Sequence, residues 1–178
     1  MKEGLIRIDE VGRVVIPKEA RKVLKIGDSR FAELYVERDK IIIKKYTPIL
    51  NELQLASKIC ETLSSLTSCV CLVCDNEKVV CASGGAMREL KGKKLSEPFK
   101  NRATSETPML HNVDEGSERL QLFVGYDLSY YSVCSVVIEH EEQIGYVIAL
   151  NLSEEQNLTA DTLNLLKMAK SMIEGVLG

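Results

Sequence analysis

Residues 9–24 read DEVGRVVIPKEARKVL, and this stretch decides the fold of the N-terminal part of the chain. Asp9–Gly12 has the composition of a turn, and Arg13–Ile16 is a β-branched run typical of a strand. Pro17 ends that strand and stands where a helix can begin, because proline costs little at the first helical position. Lys18–Leu24 then predicts a basic helix of about two turns.

The residues on either side complete a small β-β-α-β-β unit. A strand-like run, Leu5–Ile8, precedes the turn, and Gly27-Asp28 closes the helix. The following residues predict a second hairpin, made of the strand Phe31–Glu37, the turn Arg38–Lys40 and the strand Ile41–Ile43. A domain of residues 1–46 is too small to bury a stable core alone, and it has no cysteine for a disulfide. We therefore predict that it is an obligate dimer.

The charges are distributed unevenly along the chain. Residues 1–46 carry 12 Lys and Arg against 8 Asp and Glu, a net charge of +4, whereas residues 47–178 carry 11 against 18, a net charge of −7. A basic head on an acidic body suits a protein that presents one end to a polyanion. Asp9 and Glu10 are expected to shape their turn or pair with an arginine rather than to act as a catalytic pair.

Thr47-Pro48 marks the boundary to a second domain, residues 47–178. Apolar residues recur at three- and four-residue steps over 49–66 and 163–176, which predicts a long helix at each end, the second with Thr159 as its N-cap. Short helices are predicted over 87–90 and 96–102. Strands are predicted over Cys69–Cys74, Val79–Ala82, Leu120–Val124, Ser132–Ile138 and Ile144–Leu150, with Glu139–Gln143 as the last turn. This order indicates an α+β domain with a mainly antiparallel sheet.

Six cysteines lie in this second domain, five of them within residues 60–81. Cys71 and Cys74 have the C-x-x-C spacing of a zinc ligand pair, but in a strand they point to opposite faces. Cys69 and Cys71 share a face, which Cys81 reaches across the predicted hairpin. We expect buried thiols that pack as small hydrophobes, with a metal site and thiol redox sensing as the two alternatives.

Two further features concern the location and the class of the protein. No run approaches the roughly 18 apolar residues that span a bilayer, and Met1–Gly4 lacks the apolar stretch of a secretory signal. We therefore expect a cytoplasmic protein with reduced thiols. The two histidines, His111 and His140, fit no Ser-His-Asp or Cys-His arrangement, so we do not expect an enzyme.

The stretch 9–24, together with Asp39–Tyr46 (DKIIIKKY), strongly resembles the AbrB family of bacterial transition-state regulators. The resemblance implies a DNA-binding swapped-hairpin β-barrel, in which two chains interleave their hairpins. This agrees with the dimer that the size of the domain predicts.

The same resemblance implies which residues face double-stranded DNA. By motif position these are Arg13, Arg21 and Lys22, and Lys18 on the same helix joins them. The family usually has two adjacent basic residues in the first strand, where this chain has only Arg7. Neutralising about 6–8 phosphates across a dimer would give a log–log salt slope of roughly −5 to −7. With no long recognition helix, DNA shape is expected to matter more than base readout.

The whole chain resembles family members that join an AbrB-like head to a GAF-like C-terminal domain. This implies a regulator of sporulation or transition-state genes, with an α+β fold of two domains, the second a GAF-like α/β sandwich. It also implies a homodimer through the barrel or a homotetramer through the C-terminal domains. GAF-like domains often bind a small molecule beside the sheet, and the candidate lining is Cys81, Ser83, Gly84, Gly85, Met87 and Tyr130, with Tyr126 and Tyr131 as additions. The alternative is a packed domain used only for oligomerisation; no cofactor or metal is expected.

Three other functions compete with that of a DNA-binding transcription regulator. An AbrB-type antitoxin would share the barrel, but such proteins usually carry a short disordered tail in place of a structured second domain. A thiol- or metal-sensing regulator would use the clustered cysteines. A metabolite-binding enzyme would need catalytic groups that the spacing of residues does not supply.

Overall fold

The computed structural model describes residues 6–24, 26, 31–85, 87–113, 119–154 and 157–177. It divides into two compact units, Met1–Tyr46 and Thr47–Gly178, here called the N-terminal and the C-terminal unit. Within the described ranges, no helix is long and apolar enough to cross a membrane.

The N-terminal unit contains one helix and one regular hairpin among its described residues. Helix α1 (Lys18–Leu24) begins directly after Pro17, whose carbonyl accepts a backbone N–H of the first helical turn at 2.9 Å. Strands β1 (Ala32–Glu37) and β2 (Lys40–Lys45) pair antiparallel, and Arg38 has a left-handed φ of 49° in the turn between them. The predicted helix and the second hairpin are therefore present.

The first predicted hairpin is much shorter than expected. The runs 5–8 and 13–16 form no ladder in the part of the chain that the structure describes, only one antiparallel bridge between Ile8 and Val14. Leu5 and the predicted helix stop Gly27-Asp28 lie outside the described residues. Two such short runs have few partners within one chain, and an isolated two-stranded ribbon is marginally stable.

A five-stranded antiparallel sheet forms the centre of the C-terminal unit, in the order β4-β3-β7-β6-β5. Its strands are β3 (Val70–Asp75), β4 (Val79–Ser83), β5 (Met109–Asn112), β6 (Ser132–His140) and β7 (Glu142–Asn151). The inner strands are buried along most of their length, so both faces of the sheet are covered.

Two long helices cover one face of this sheet. They are α3 (Leu53–Thr67) and α5 (Ala160–Leu177), which contact each other as well as the strands beneath them. The first predicted helix is interrupted at Glu52, whose φ of −107° and ψ of 37° are not helical, so a separate turn, α2 (Pro48–Asn51), precedes α3. The predicted apolar periodicity is otherwise kept, because the buried residues of both long helices recur at helical spacing.

The opposite face of the sheet carries a 3-10 helix (Met87–Leu90), helix α4 (Glu97–Arg102) and a fully buried apolar core. Ser96 caps α4, because its hydroxyl oxygen accepts the backbone N–H of Phe99 at 3.1 Å. The Phe99 ring then packs edge-on against Tyr146 of β7, with ring centroids 5.2 Å apart. This packing fills part of the apolar core on this face of the sheet.

One predicted strand is wrong, and one strand was missed. Leu120–Val124 forms no strand; within it, Phe123 makes single bridges to Leu95 and Tyr126. Phe123 is fully buried because it packs in the core rather than in the sheet. The edge strand is instead β5, a run too short to show alternation. The last turn is also tighter than predicted, since only Glu141, at a φ of 61°, separates β6 from β7.

Candidate functional site

The turn before the N-terminal helix is closed by one carboxylate. The side chain of Asp9 accepts the backbone N–H of Val11 at 3.0 Å and that of Arg13 at 2.7 Å. It also accepts the guanidinium Nε of Arg13 at 2.8 Å. The backbone N–H and then the guanidinium of Arg13 hold the pKa of Asp9 below its usual value. The interpretation of Asp9 as a loop-shaping partner of an arginine is confirmed.

These contacts position the Arg13 side chain and leave it exposed to solvent. Its side chain is 77% exposed, and the bond through Nε leaves the two terminal nitrogens of the guanidinium free to donate elsewhere. Arg7 and Arg13 line one depression of the surface together with Asp9 and Pro17. The structure therefore brings the first two predicted arginines onto one surface beside the start of α1.

The remaining predicted cations lie on α1. Lys18, Arg21 and Lys22 are all exposed, and their spacing of three and four residues places them on one side of the helix. Ala20 and Leu24, on the other side, are half-buried. All five predicted DNA-contacting side chains are thus accessible in the N-terminal unit.

The N-terminal unit also exposes many large apolar side chains. Val23 on α1 is 83% exposed, and Val36 and Ile41 on the hairpin are 70% and 68% exposed. Val36 and Ile41 are direct cross-strand partners, so together they present apolar surface on one face of the ribbon. Such surface in a unit of this size indicates an interface.

The predicted ligand-lining residues do not converge on one cavity. Tyr130 lies in the core on the α4 side of the sheet and donates its hydroxyl to the Leu120 carbonyl at 2.9 Å. Cys81 lies on the α3 side, with its thiol 3.9 Å from the Leu53 carbonyl. The sheet therefore separates these two residues. The Met87 side chain lies outside the described part of the chain.

The two glycines of the predicted lining differ in their surroundings. A Cβ on Gly84, at a φ of 101°, would lie 2.5 Å from the Cys69 carbonyl oxygen and 2.6 Å from the Ser64 hydroxyl. Gly84 is therefore required by the close approach of the protein's own backbone. Gly85 faces open space, and Ser83 pairs with Cys71 in the β3–β4 register.

The cysteines are all free and buried. Cys74 lies in the core on the α4 side, whereas the Cys71 thiol contacts Thr67 of α3, so the two point to opposite faces as the strand alternation predicts. Burial raises the pKa of Cys71 and of Cys134 to about 12, which keeps these thiols protonated and weakly reactive. Among the described residues, no group of three or more Cys, His, Asp or Glu is placed to hold a metal ion.

Sequence reasoning missed an exposed apolar stripe on α5. Met168 is 64% exposed, and Met172 and Val176 are each 56% exposed, at four-residue spacing on one side of the helix. The periodicity of this helix was visible, but both its stripes are apolar. The sequence alone did not distinguish the stripe that packs on the sheet from the stripe that faces outward.

Comparisons with known proteins agree with this division of the chain. The family model described as stage V sporulation protein T C-terminal, transcription factor, matches residues 52–174. Stage V sporulation protein T of Bacillus subtilis (strain 168) is 31% identical over 147 residues, which is 82% of each chain. The transition state regulatory protein AbrB of the same organism is 52% identical over 46 residues, or 25% of this chain and 48% of that protein. The resemblance of the N-terminal residues to AbrB is confirmed.

Solved structures resemble the C-terminal unit in fold. The GAF domain of Thermosynechococcus elongatus PixJ, crystallised in its blue-light absorbing form, superimposes with a TM-score of 0.53. The match covers 73% of this chain and 89% of that one at 12% sequence identity. The predicted GAF-like α+β fold with its antiparallel sheet is therefore confirmed.

Proposed function

The chain belongs to the stage V sporulation protein T family, and from that membership we propose that it regulates transcription by binding duplex DNA as a dimer. The observation that carries the proposal is the set of five exposed cations in the N-terminal unit, with Arg13 held in place by Asp9. The relatives named as a transcription factor and as a transition state regulator support a role in the control of sporulation or transition-state genes.

The proposed partner of the N-terminal unit is a second copy of the same chain. Val23 of α1 and the paired Val36 and Ile41 of the β1–β2 ribbon are exposed in the single chain, and a swapped-hairpin barrel would bury them against the other copy. The short first hairpin fits this arrangement, because its strands would find further hydrogen-bond partners in the second chain. Dimerisation would also double the number of cations that meet the DNA.

Electrostatic attraction would dominate this binding. Arginine suits phosphates and guanine edges through its planar fork of donors, while lysine acts as a point charge. Neutralising about 6–8 phosphates across the dimer predicts a log–log slope of affinity against salt of roughly −5 to −7. No helix long enough to fill a major groove is present among the described residues of the N-terminal unit, which favours recognition of DNA shape.

Fluorescence anisotropy of a labelled duplex, titrated with the full chain at several salt concentrations, tests the proposal. Arg13→Ala/Arg21→Ala removes four cations from the dimer and should make the slope shallower by roughly 3–4. Arg38→Ala/Lys40→Ala is the matched control, because it removes the same charge from the β1–β2 hairpin, at the turn residue Arg38 and at the first residue of β2. Equal slopes in the parent and in a folded, dimeric Arg13/Arg21 variant would refute the proposed surface.

We further propose that the C-terminal unit assembles the dimers into a tetramer through the exposed stripe of α5. Methionine and valine side chains at four-residue spacing form a strip that a second α5 could cover. The N-terminal and C-terminal contacts would then use separate surfaces of the chain. Two dimers held together would present two DNA-binding units.

We propose small-molecule sensing only on the α4 side of the sheet, where Tyr130 lies. Ser135 of β6 is buried there, between Met109 and Ile148, and its hydroxyl has no hydrogen-bond partner among the described residues. An unpaired buried hydroxyl is costly, and a polar ligand group or a water would satisfy it. A compound that uses this hydroxyl should raise the unfolding temperature of the parent and not of Ser135→Ala. An equal rise in both proteins would exclude Ser135 from the site.

A further inference from the structure

The C-terminal unit, although acidic overall, carries a basic edge. Beyond β4, residues 92–95 continue the sheet: the Val79 N–H donates to the Lys93 carbonyl at 2.9 Å, and the Leu95 N–H donates to the Glu77 carbonyl at 2.8 Å. This pairing places Lys78 directly opposite Lys94. Both side chains are exposed, as is that of Lys91. We call Lys78, Lys91 and Lys94 the edge lysines.

The ladder fixes the backbone of Lys78 and Lys94 but supplies no counter-charge to their ammonium groups. No carboxylate in the described part of the chain forms an ion pair with any of them. Lys93 is used differently, because its ammonium lies 4.3 Å from the centre of the Tyr126 ring, and the Tyr126 hydroxyl donates to Glu89 at 2.8 Å. The nearby Asp75 carboxylate is occupied by two backbone N–H groups of its own turn, at 2.7 Å each.

Two lysines facing each other across a ladder repel, since the Cβ atoms of such a pair lie only about 4.5–5.5 Å apart. Lysines at a sheet edge often serve to block pairing with another chain. Blocking such pairing does not explain these lysines well, because this edge is already covered: the Val124 N–H donates to the Lys94 carbonyl at 2.9 Å. The repulsion instead leaves a site that an external anion would stabilise.

We propose that the edge lysines form a second contact with the phosphate backbone of duplex DNA. The inference rests on the proposed function of the N-terminal unit. Because both units belong to one chain, DNA held by the N-terminal unit would be tethered to the C-terminal unit. Lysine is suited to phosphate as a point charge, and the contact carries no base specificity. Its effect is to lengthen the bound DNA segment and to steepen the salt dependence.

Lys78→Gln/Lys94→Gln in the full chain tests this contact against the matched control Lys58→Gln/Lys100→Gln. The control removes the same charge from the same unit, but its lysines are already ion-paired with Glu61 and Glu97. On a long mixed-sequence duplex, the edge variant should show a log–log salt slope shallower by about 2–4, because a dimer loses four cations. The control should keep the parent's slope. The edge variant should also fold normally, since it removes a like-charge pair.

The outcomes separate the two proposals. Loss of slope in the Arg13/Arg21 variant and in the edge variant supports both. If the salt slope falls in the Arg13/Arg21 variant but is equal in the edge variant and its control, the second DNA contact is overturned. The edge lysines would then bind an acidic protein partner or stay solvated. A parent without salt-dependent binding overturns the DNA-binding function itself.

Discussion

Replacing Asp9 by asparagine would separate the two roles of its side chain. The carboxylate accepts the backbone N–H groups of Val11 and Arg13 and also neutralises the Arg13 guanidinium at 2.8 Å. An asparagine oxygen can still accept the backbone N–H groups, but it carries no charge. Asp9→Asn should therefore keep the loop and increase the positive charge beside the DNA.

The size of the effect follows from the charge. Asp9→Asn adds one unit of positive charge per chain and two per proposed dimer, which steepens the log–log salt slope by about 1.8. From about 50 to about 200 mM salt, this gives a further loss of affinity of about twelvefold. Arg13 lowers the pKa of Asp9, so the parent carboxylate stays charged until the pH falls below the ordinary value of 3.8. The difference between parent and variant should therefore be constant around neutral pH.

The assay is again anisotropy over a salt series, with Asp9→Ala as the matched variant. Alanine removes the charge and also the acceptor of both backbone N–H groups, so it should bind more weakly than Asp9→Asn at every salt concentration. A slope in Asp9→Asn equal to that of the parent would refute a phosphate contact near Arg13. Equal binding by the two variants would show that the hydrogen bonds from the loop backbone to residue 9 do not affect DNA binding.

Three further predictions concern the C-terminal unit. Gly145→Ala should lower the free energy of unfolding by about 1–3 kcal/mol or more, because the new Cβ would collide with the Cys74 carbonyl oxygen. Urea unfolding measures this, with Gly175→Ala as the control, because a Cβ at position 175 would meet open space. Burial raises the pKa of Cys71 to about 12, so this thiol should react with a disulfide reagent at pH 8 only as the protein unfolds. A fast reaction of the native protein would contradict this. Ionisation of Cys71 should also lower the free energy of unfolding as the pH rises above 9. Met168→Glu/Met172→Glu should convert tetramers to dimers in light scattering, and an unchanged mass would count against the α5 interface.

The elements that were predicted correctly are those that residues close together in the sequence determine. Pro17 followed by a basic run gave α1, and the apolar periods at both ends of the C-terminal unit gave α3 and α5. The β6–β7 hairpin was predicted because its strands are long and strongly β-branched. The dimer was predicted from the small size of residues 1–46, and the AbrB resemblance implies the same; it stays a prediction.

The errors arose where tertiary contacts decide. Phe123 is apolar because it fills the core, and a short apolar run around it looks the same as a buried strand. Gly84 was assigned to the candidate ligand lining, whereas the Cys69 carbonyl and the Ser64 hydroxyl lie where its Cβ would be. Cys81 and Tyr130 were both assigned to the candidate lining that the GAF-like resemblance implies, but the sheet lies between them. Each of these distinctions requires the position of a residue distant in sequence.

Net charge has a similar limit as a guide to function. The value of −7 for residues 47–178 argues against a polyanion contact only if charge acts as an average over the unit. At physiological ionic strength the Debye length is about 8 Å, so carboxylates farther away barely reduce the field at Lys78 and Lys94. Sixteen positions apart in the sequence, these lysines become neighbours only through the sheet ladder. If they and Arg13 contact DNA independently, combining the substitutions should reduce the salt slope by the sum of the separate reductions, whereas one shared contact would give less than the sum.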